Sequence, residues 1–176
     1  MPGMMERTIT VNGFSKGFAM TGWRLGYIAA PQWLAKACSK IQGQFTSGTN
    51  SIAQRAAIAA LTGDMTSTRK MAEAYLRRRD LVLEKLKEIP GVKTYVPNGA
   101  FYIFPDVSAY FGKSDGETTI RNASDFCMYI LNKAHVSLVT GEAFGAPDCV
   151  RLSYAASDEA LVEAINRIKD TLSKLS

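Results

Sequence analysis

A lysine and an arginine lie eight residues apart in one glycine-rich segment, residues 15–27, which reads SKGFAMTGWRLGY. Lys16 can attack an aldehyde and form a Schiff base once its amine has lost its proton. Arg24 can bind a phosphate through two parallel N–H bonds, because its guanidinium is planar and forked. Pyridoxal phosphate carries both an aldehyde and a phosphate. The segment therefore predicts a site for this cofactor, with Lys16 as the catalytic lysine.

The other residues of the same segment indicate a function less specifically. The hydroxyl of Ser15 could donate to the phosphate that Arg24 binds. Gly17 and Gly22 are expected to allow a close backbone approach or a positive φ, although they could be plain loop glycines. Arg24 could instead pair with a nearby acid.

A second arginine, Arg151, lies in the apolar run 149–154. Strand alternation places Val150, Leu152 and Tyr154 on one face and Arg151 with Ser153 on the other. A buried arginine needs an anionic partner, which could be a substrate carboxylate or a structural salt bridge.

Four further motifs follow the lysine segment: NSIAQ at 50–54, PNGAFY at 97–102, GEAFG at 141–145 and VRLSYA at 150–155. In this order and approximate spacing, the five motifs make the chain resemble the class I aminotransferases. These are the aspartate aminotransferase-like branch of the fold type I pyridoxal-phosphate enzymes. The resemblance covers essentially the whole chain.

The resemblance implies an α/β (α+β-like) fold, a small domain with a mixed sheet covered by helices. In the family the lysine lies past the middle of the chain, whereas here it is residue 16. We therefore expect a C-terminal portion: residues 1–49 a remnant of the large cofactor-binding domain, and residues 50–176 the small domain with a long bridging helix.

The resemblance also assigns roles. Lys16, Arg24 and Ser15 bind the cofactor, and Lys16 moves protons in catalysis. Arg151 binds the substrate α-carboxylate, and Phe144 lines the substrate pocket unless it is a core residue.

Three positions qualify this assignment. Gly13 stands where some relatives have a second phosphate-binding serine. Thr140 stands where the family usually has proline, which leaves the course of that loop open. Asn50 could reach the site of a partner subunit.

The implied reaction exchanges the amino group of an amino acid for the keto group of a 2-oxo acid, with aspartate and 2-oxoglutarate as default substrates. The full-length form is expected to be a homodimer. The acid that pairs with the cofactor's pyridine nitrogen is expected upstream of residue 1, so this chain alone should bind the cofactor poorly and turn over negligibly. Alternatives are a C–S lyase or cyclopropane-synthase type of relative, or a non-catalytic small domain that serves as an interaction module.

Composition makes several other classes of protein less compatible with this sequence. The three cysteines lack CxxC spacing, which argues against a metal site and favours the cytoplasm. No apolar run approaches the length of a membrane span. The net charge of +5 could attract nucleic acid, but the densest basic run, 77–79, lies in a helical pattern with acids and is read as a solvated helix face. His135 is expected on the surface at a helix end.

Periodicity and turn residues predict the elements. The predicted strands span 7–11, 25–30, 92–96, 100–104, 136–139 and 149–154. The predicted helices span 32–42, 51–63, 66–89, 124–134 and the region after 157. Ser51 (in a capping box with Gln54), Ser124 and Ser157 are the expected N-caps.

Overall fold

The computed structural model describes residues 2–176 and divides the chain into two compact units, one that ends at Lys70 and one that spans Met71–Ser176. Five α-helices, five short strands and four short 3₁₀ helices make up the regular structure of the described residues, which confirms the α/β class. The division falls later in the chain than the expected boundary at residue 49.

The first unit is a β-hairpin followed by two helices. Strands β1 and β2 pair antiparallel, from Thr10 opposite Ala29 to Gly13 opposite Gly26. The elements are β1 (Thr10–Gly13), β2 (Gly26–Ala29), α1 (Gln32–Phe45) and α2 (Ser51–Thr62).

The core of this unit is small. Phe14 and Leu25, at the base of the hairpin loop, are buried with Ala53 and Ala57 of α2. Both strands, in contrast, have exposed side chains along their whole length. The base of the hairpin loop is therefore the part of the hairpin that packs against helix α2.

Helix α2 begins differently from the prediction. Asn50 is its N-cap, and its Oδ1 accepts hydrogen bonds from the amides of Ile52 (2.9 Å) and Ala53 (3.0 Å). Ser51 is already helical, so the predicted capping box is wrong by one residue. Asn50 takes the cap because its ψ of 126° is not helical. Gly63 ends the helix, as expected.

The second unit contains helices packed on a three-stranded sheet. Helix α3 (Thr66–Lys87) contains the boundary between the units. The other elements are β3 (Tyr102–Ile103), α4 (Ala123–Ala134), β4 (Val139–Thr140), β5 (Val150–Ser153) and α5 (Asp158–Leu172).

Strand β5 is central in this sheet, and both of its neighbours run antiparallel to it. Tyr102 lies opposite Ser153, and Val139 lies opposite Arg151. The expected mixed sheet is therefore wrong for the described strands. The connection 141–149 is short and reverses the chain between β4 and β5, which gives an antiparallel pair.

The core of the second unit is formed by one face of each of its helices and by strands β3 and β5. Val82 of α3, Ile103 of β3, Phe126 of α4, Val150 of β5 and Ile165 of α5 are almost completely buried. Helix α3 is buried along one side of its C-terminal half, at Val82 and Leu86.

Three local predictions for this unit need correction. Residues 92–96 form no strand; Lys93 alone pairs with Asp106, because the following residues have no partner in the described chain. Strand β4 lies at Val139–Thr140 instead of at 136–139. Asn122, whose side chain accepts from the Asp125 amide at 2.8 Å, caps α4 in place of Ser124.

Two other expectations are confirmed. Ser157 caps α5 and accepts from the Ala160 amide at 3.2 Å. His135 ends α4 in the left-handed conformation, with φ 56°, and is exposed.

The basic run on α3 makes ion pairs within the chain. Arg77 and Arg78 both bind Asp158, and Arg79 binds Asp80.

In the described range, no helix combines the length and apolarity that a membrane crossing requires. No group of metal-binding side chains that could hold an ion occurs among residues 2–176 either.

Candidate active site

The predicted lysine lies in the loop that joins β1 to β2. Phe14 donates its amide to the Leu25 carbonyl at 3.1 Å and closes the base of the loop. Inside it, the Ala19 amide donates to the Lys16 carbonyl at 3.1 Å, which forms a tight turn directly after the lysine. The Lys16 side chain is exposed on this turn. The packed base of the loop holds the backbone around Lys16, and the residue itself is exposed.

The glycines of this loop do not have the predicted role. Neither Gly17 nor Gly22 has a positive φ, and a Cβ on either one would meet no atom within 4 Å. The left-handed positions are Ala19 (φ 53°) and Arg24 (φ 52°). Gly17 and Gly22 are therefore plain loop glycines in this structure.

Arg24 is exposed and lies at the end of the short helical turn Thr21–Trp23. One guanidinium nitrogen, Nη1, donates to the Thr21 carbonyl at 2.9 Å. No acid of the described chain forms an ion pair with Arg24, so the alternative of a local acidic partner is not observed. One anchored nitrogen leaves the remaining N–H donors available for an anion.

Ser15 lies beside the lysine and is partly buried. Its carbonyl accepts from the Thr21 hydroxyl at 3.0 Å, which connects the two halves of the loop. Ser15, Lys16 and Arg24 are thus brought onto one loop. Arg24 also lines an open groove of about 780 Å³ with Asn50, whose side-chain oxygen is occupied in capping α2.

Arg151 lies in the second unit, on the central strand of the sheet. The predicted alternation is confirmed, because Val150 and Leu152 are buried whereas Arg151 is half-buried and Ser153 exposed. The guanidinium carbon lies 4.5 Å from the centroid of the Tyr102 ring and 4.7 Å from that of Phe144. No carboxylate of residues 2–176 pairs with this guanidinium, so the alternative of a structural salt bridge is not observed.

Phe144 ends the helical turn Gly141–Phe144, which follows β4. Its side chain is 50% exposed, so it is not a core phenylalanine. It packs edge-on against Phe104, with the ring centroids 5.9 Å apart and the planes at 86°. Thr140 precedes this turn with φ −58°, a value that proline would also adopt, so this backbone is compatible with either residue.

Tyr102 is the residue that sequence reasoning missed. It occurs in the quoted motif at 97–102, but its contact with Arg151 depends on strand register, which that motif does not reveal. The structure brings Tyr102, Phe144 and Arg151 together in the second unit. Ser15, Lys16 and Arg24 belong to the first unit.

Comparison with known proteins confirms the resemblance. Residues 2–168 match the family model described as aminotransferase class I and II. The chain is 52% identical, over 98% of its length, to a bifunctional aspartate aminotransferase and glutamate/aspartate-prephenate aminotransferase of Petunia hybrida, and it covers 37% of that protein. The chain therefore belongs to the class I and II aminotransferase family.

Solved structures agree. The aspartate aminotransferase of Rhizobium meliloti superposes with a TM-score of 0.95 at 44% identity, over 100% of this chain and 44% of that one. The aromatic aminotransferase of Pyrococcus horikoshii gives a TM-score of 0.87 at 41% identity, over 98% of this chain and 45% of that one. The chain thus spans less than half the length of these relatives.

Proposed function

We propose that this chain contributes the catalytic lysine and two anion-binding arginines to a pyridoxal-phosphate-dependent aminotransferase. The observation that carries the proposal is that Arg24 and Arg151 both lack an acidic partner in the described chain. A guanidinium without a protein carboxylate is suited to an anionic ligand. Family membership supplies the reaction class.

The donors of the hairpin loop fit the cofactor. Arg24 has N–H donors to spare, and the Ser15 hydroxyl has no acceptor within the described chain. These two residues would hold the phosphate dianion, and Lys16 would hold the aldehyde carbon. When bound, pyridoxal phosphate supplies an electron sink for the electrons released at the substrate α-carbon.

The chain's own residues would then perform two tasks. Arg151 would bind the α-carboxylate and orient the Cα–H bond for cleavage. The Lys16 amine would be released when the amine of the substrate takes its place on the aldehyde carbon. The released amine would then accept the proton from the substrate α-carbon and hold it for return to the cofactor side of the bond. Phe144 would line the space beside the carboxylate.

The substrate class follows from the relatives. Proteins named aspartate aminotransferase from Pinus pinaster and Rhizobium meliloti are 51% and 45% identical to this chain. We infer an amino acid of the aspartate type and a 2-oxo acid acceptor.

The setting of the enzyme is inferred in the same way. We infer a full-length homodimer, with residues 1–49 as part of the cofactor domain and 50–176 as the small domain. The free thiols Cys38, Cys127 and Cys149 suit the cytoplasm.

The test is reductive trapping on the full-length enzyme, because the chain alone is expected to bind the cofactor poorly. Borohydride treatment with pyridoxal phosphate, followed by peptide mass spectrometry, should label Lys16 ahead of the other lysines. Unphosphorylated pyridoxal should label Lys16 about tenfold less, because it lacks the anion that Arg24 binds. The variant Arg24→Gln should remove this difference between the two aldehydes.

A matched control uses Arg55, another exposed arginine of the first unit. Arg55→Gln should leave the preference for the phosphorylated aldehyde intact. Labelling spread evenly over the exposed lysines, or an unchanged preference in Arg24→Gln, would contradict the proposed cofactor site.

A further inference from the structure

The side chain of Arg151 is held by aromatic rings and has no polar contact to a described residue. Its guanidinium carbon lies within 5 Å of the Tyr102 and Phe144 ring centroids. None of the guanidinium N–H groups donates to an acceptor in the described chain. Aromatic rings attract a guanidinium cation without using its N–H donors, so the charge is stabilised while the donors stay available.

Strand register explains how Tyr102 reaches this position. Tyr102 lies directly opposite Ser153, and Ser153 is on the same face of β5 as Arg151, two residues along. Tyr102 and Arg151 are therefore diagonal neighbours across two strands, a distance that long side chains can bridge.

Phe144 approaches from the other side of β5. Strand β4 pairs with that other edge, with Val139 opposite Arg151, and continues directly into the turn that carries Phe144. The two rings thus come from separate elements on opposite edges of the central strand.

Both rings are themselves supported. Phe104 packs edge-on against Phe144, and the Phe101 centroid lies 4.4 Å from that of Tyr102. A supported ring restricts a neighbouring side chain more than a mobile ring does. A long arginine that is already ordered loses less conformational freedom when it binds a carboxylate.

We propose that Tyr102 is a positioning residue, which together with Phe144 forms an aromatic clamp that holds the Arg151 guanidinium ready for a substrate carboxylate. The clamp rests on the proposed function, in which Arg151 binds that carboxylate. It adds a residue to the site whose contribution acts through Arg151. Its ring is the active part, and its hydroxyl is dispensable.

Nuclear magnetic resonance of the ¹⁵N-labelled chain tests the clamp. The Arg151 Nε–Hε signal, assigned by its loss in Arg151→Lys, reports the nearby rings through ring-current shifts. The affinity for succinate is followed in the same spectra. Tyr102→Leu should move this signal and weaken succinate binding about fivefold, since a cation–π contact is lost. Tyr102→Phe should keep both the signal and the affinity.

Two further variants guard against a general loss of structure. Phe144→Leu changes a half-exposed ring and should act in the same direction as Tyr102→Leu. Tyr95→Leu makes the same chemical change at a tyrosine that is 83% exposed, and it should change neither the Arg151 signal nor the affinity.

The outcomes separate the clamp from the proposed function. If the native chain binds succinate and both Tyr102→Leu and Phe144→Leu bind it with the same affinity, the clamp is overturned but the proposed function is not. Equal losses in Tyr102→Phe and Tyr102→Leu would also overturn it, because the hydroxyl would then be the active part. If succinate does not shift the Arg151 Nε–Hε signal of the native chain, the proposed carboxylate-binding role of Arg151 is overturned, and the clamp with it.

Discussion

Tyr154 donates its hydroxyl to the backbone carbonyl of Ala100, at 3.0 Å, across a sequence separation of 54 residues. Ala100 has a left-handed backbone, with φ 62°, and belongs to the turn that leads into β3. Tyr154 lies directly after β5 and is almost completely buried. The bond therefore joins the turn before β3 to the end of the strand that carries Arg151.

The variant Tyr154→Phe should lower the free energy of unfolding by about 1 kcal/mol, because the buried ring remains while the Ala100 carbonyl loses its partner. Urea unfolding followed by circular dichroism measures the difference. Tyr95→Phe, at an exposed position, is the control and should leave stability unchanged. Equal stability of the Tyr154 and Tyr95 variants would show that the bond contributes nothing.

Gly141 should tolerate no side chain. A Cβ at this buried position would overlap the carbonyl oxygens of Ala146 and Cys149. Gly141→Ala should therefore cost about 2–3 kcal/mol and displace Phe144, since the turn must open to make room. The Arg151 Nε–Hε signal and thermal unfolding report the two effects. Gly99→Ala is the matched control, because a Cβ there meets no atom within 4 Å. An Arg151 signal unmoved in Gly141→Ala would contradict the link to Phe144.

Asn50 should contribute more than Ser51 to the stability of the first turn of α2. Asn50→Ala removes the oxygen that accepts from Ile52 and Ala53 and should cost about 1 kcal/mol. Hydrogen exchange of the Ala53 amide measures this locally and should become about fivefold faster. Ser51→Ala should leave the exchange rate unchanged. The reverse order of effects would restore the capping box predicted from the sequence.

Asp115 should make the free energy of unfolding depend on pH in the acid range. Hydrogen bonds, above all that from the Thr118 amide, lower the pKa of Asp115 from 3.8 to about 2. The folded pKa lies below the unfolded one, so the carboxylate stabilises the fold above about pH 4, and this contribution is lost as the pH falls towards 2. Asp115→Asn should flatten the pH dependence of unfolding in that window.

The control for this experiment is Asp170→Asn, at an exposed acid without an ion pair in the described chain. Its pH profile should match that of the native chain. An unchanged slope in Asp115→Asn between pH 4 and 2 would show that the Thr118 hydrogen bond does not favour the charged form.

Helix and strand positions were largely predictable where one face is buried. The alternation around Arg151 and the buried stripe on α3 both follow from apolar spacing, which the core enforces. Residues 92–96 have a strand-like composition but pair only at Lys93, because pairing needs a partner strand that composition does not reveal.

Caps and side-chain contacts were less predictable. Asn50 and Asn122 each lie within two residues of a serine that could also act as the N-cap. Which residue caps the helix depends on which one has non-helical backbone angles directly before the first turn. Tyr102 could not be assigned to Arg151 without the register of β3 on β5. The lysine segment was recognisable from its residues, whereas the left-handed positions at Ala19 and Arg24 were not.

The guanidinium of Arg151 has no ion-pair partner among residues 2–176, so the anions of the buffer affect any binding experiment on this chain. Acetate, citrate, sulfate and phosphate present the same paired oxygens that a forked cation prefers. At the concentrations common in purification they would compete with a weakly held ligand. Measurements in a cationic tertiary-amine buffer with chloride as the counter-ion would leave this guanidinium available to the molecule under test.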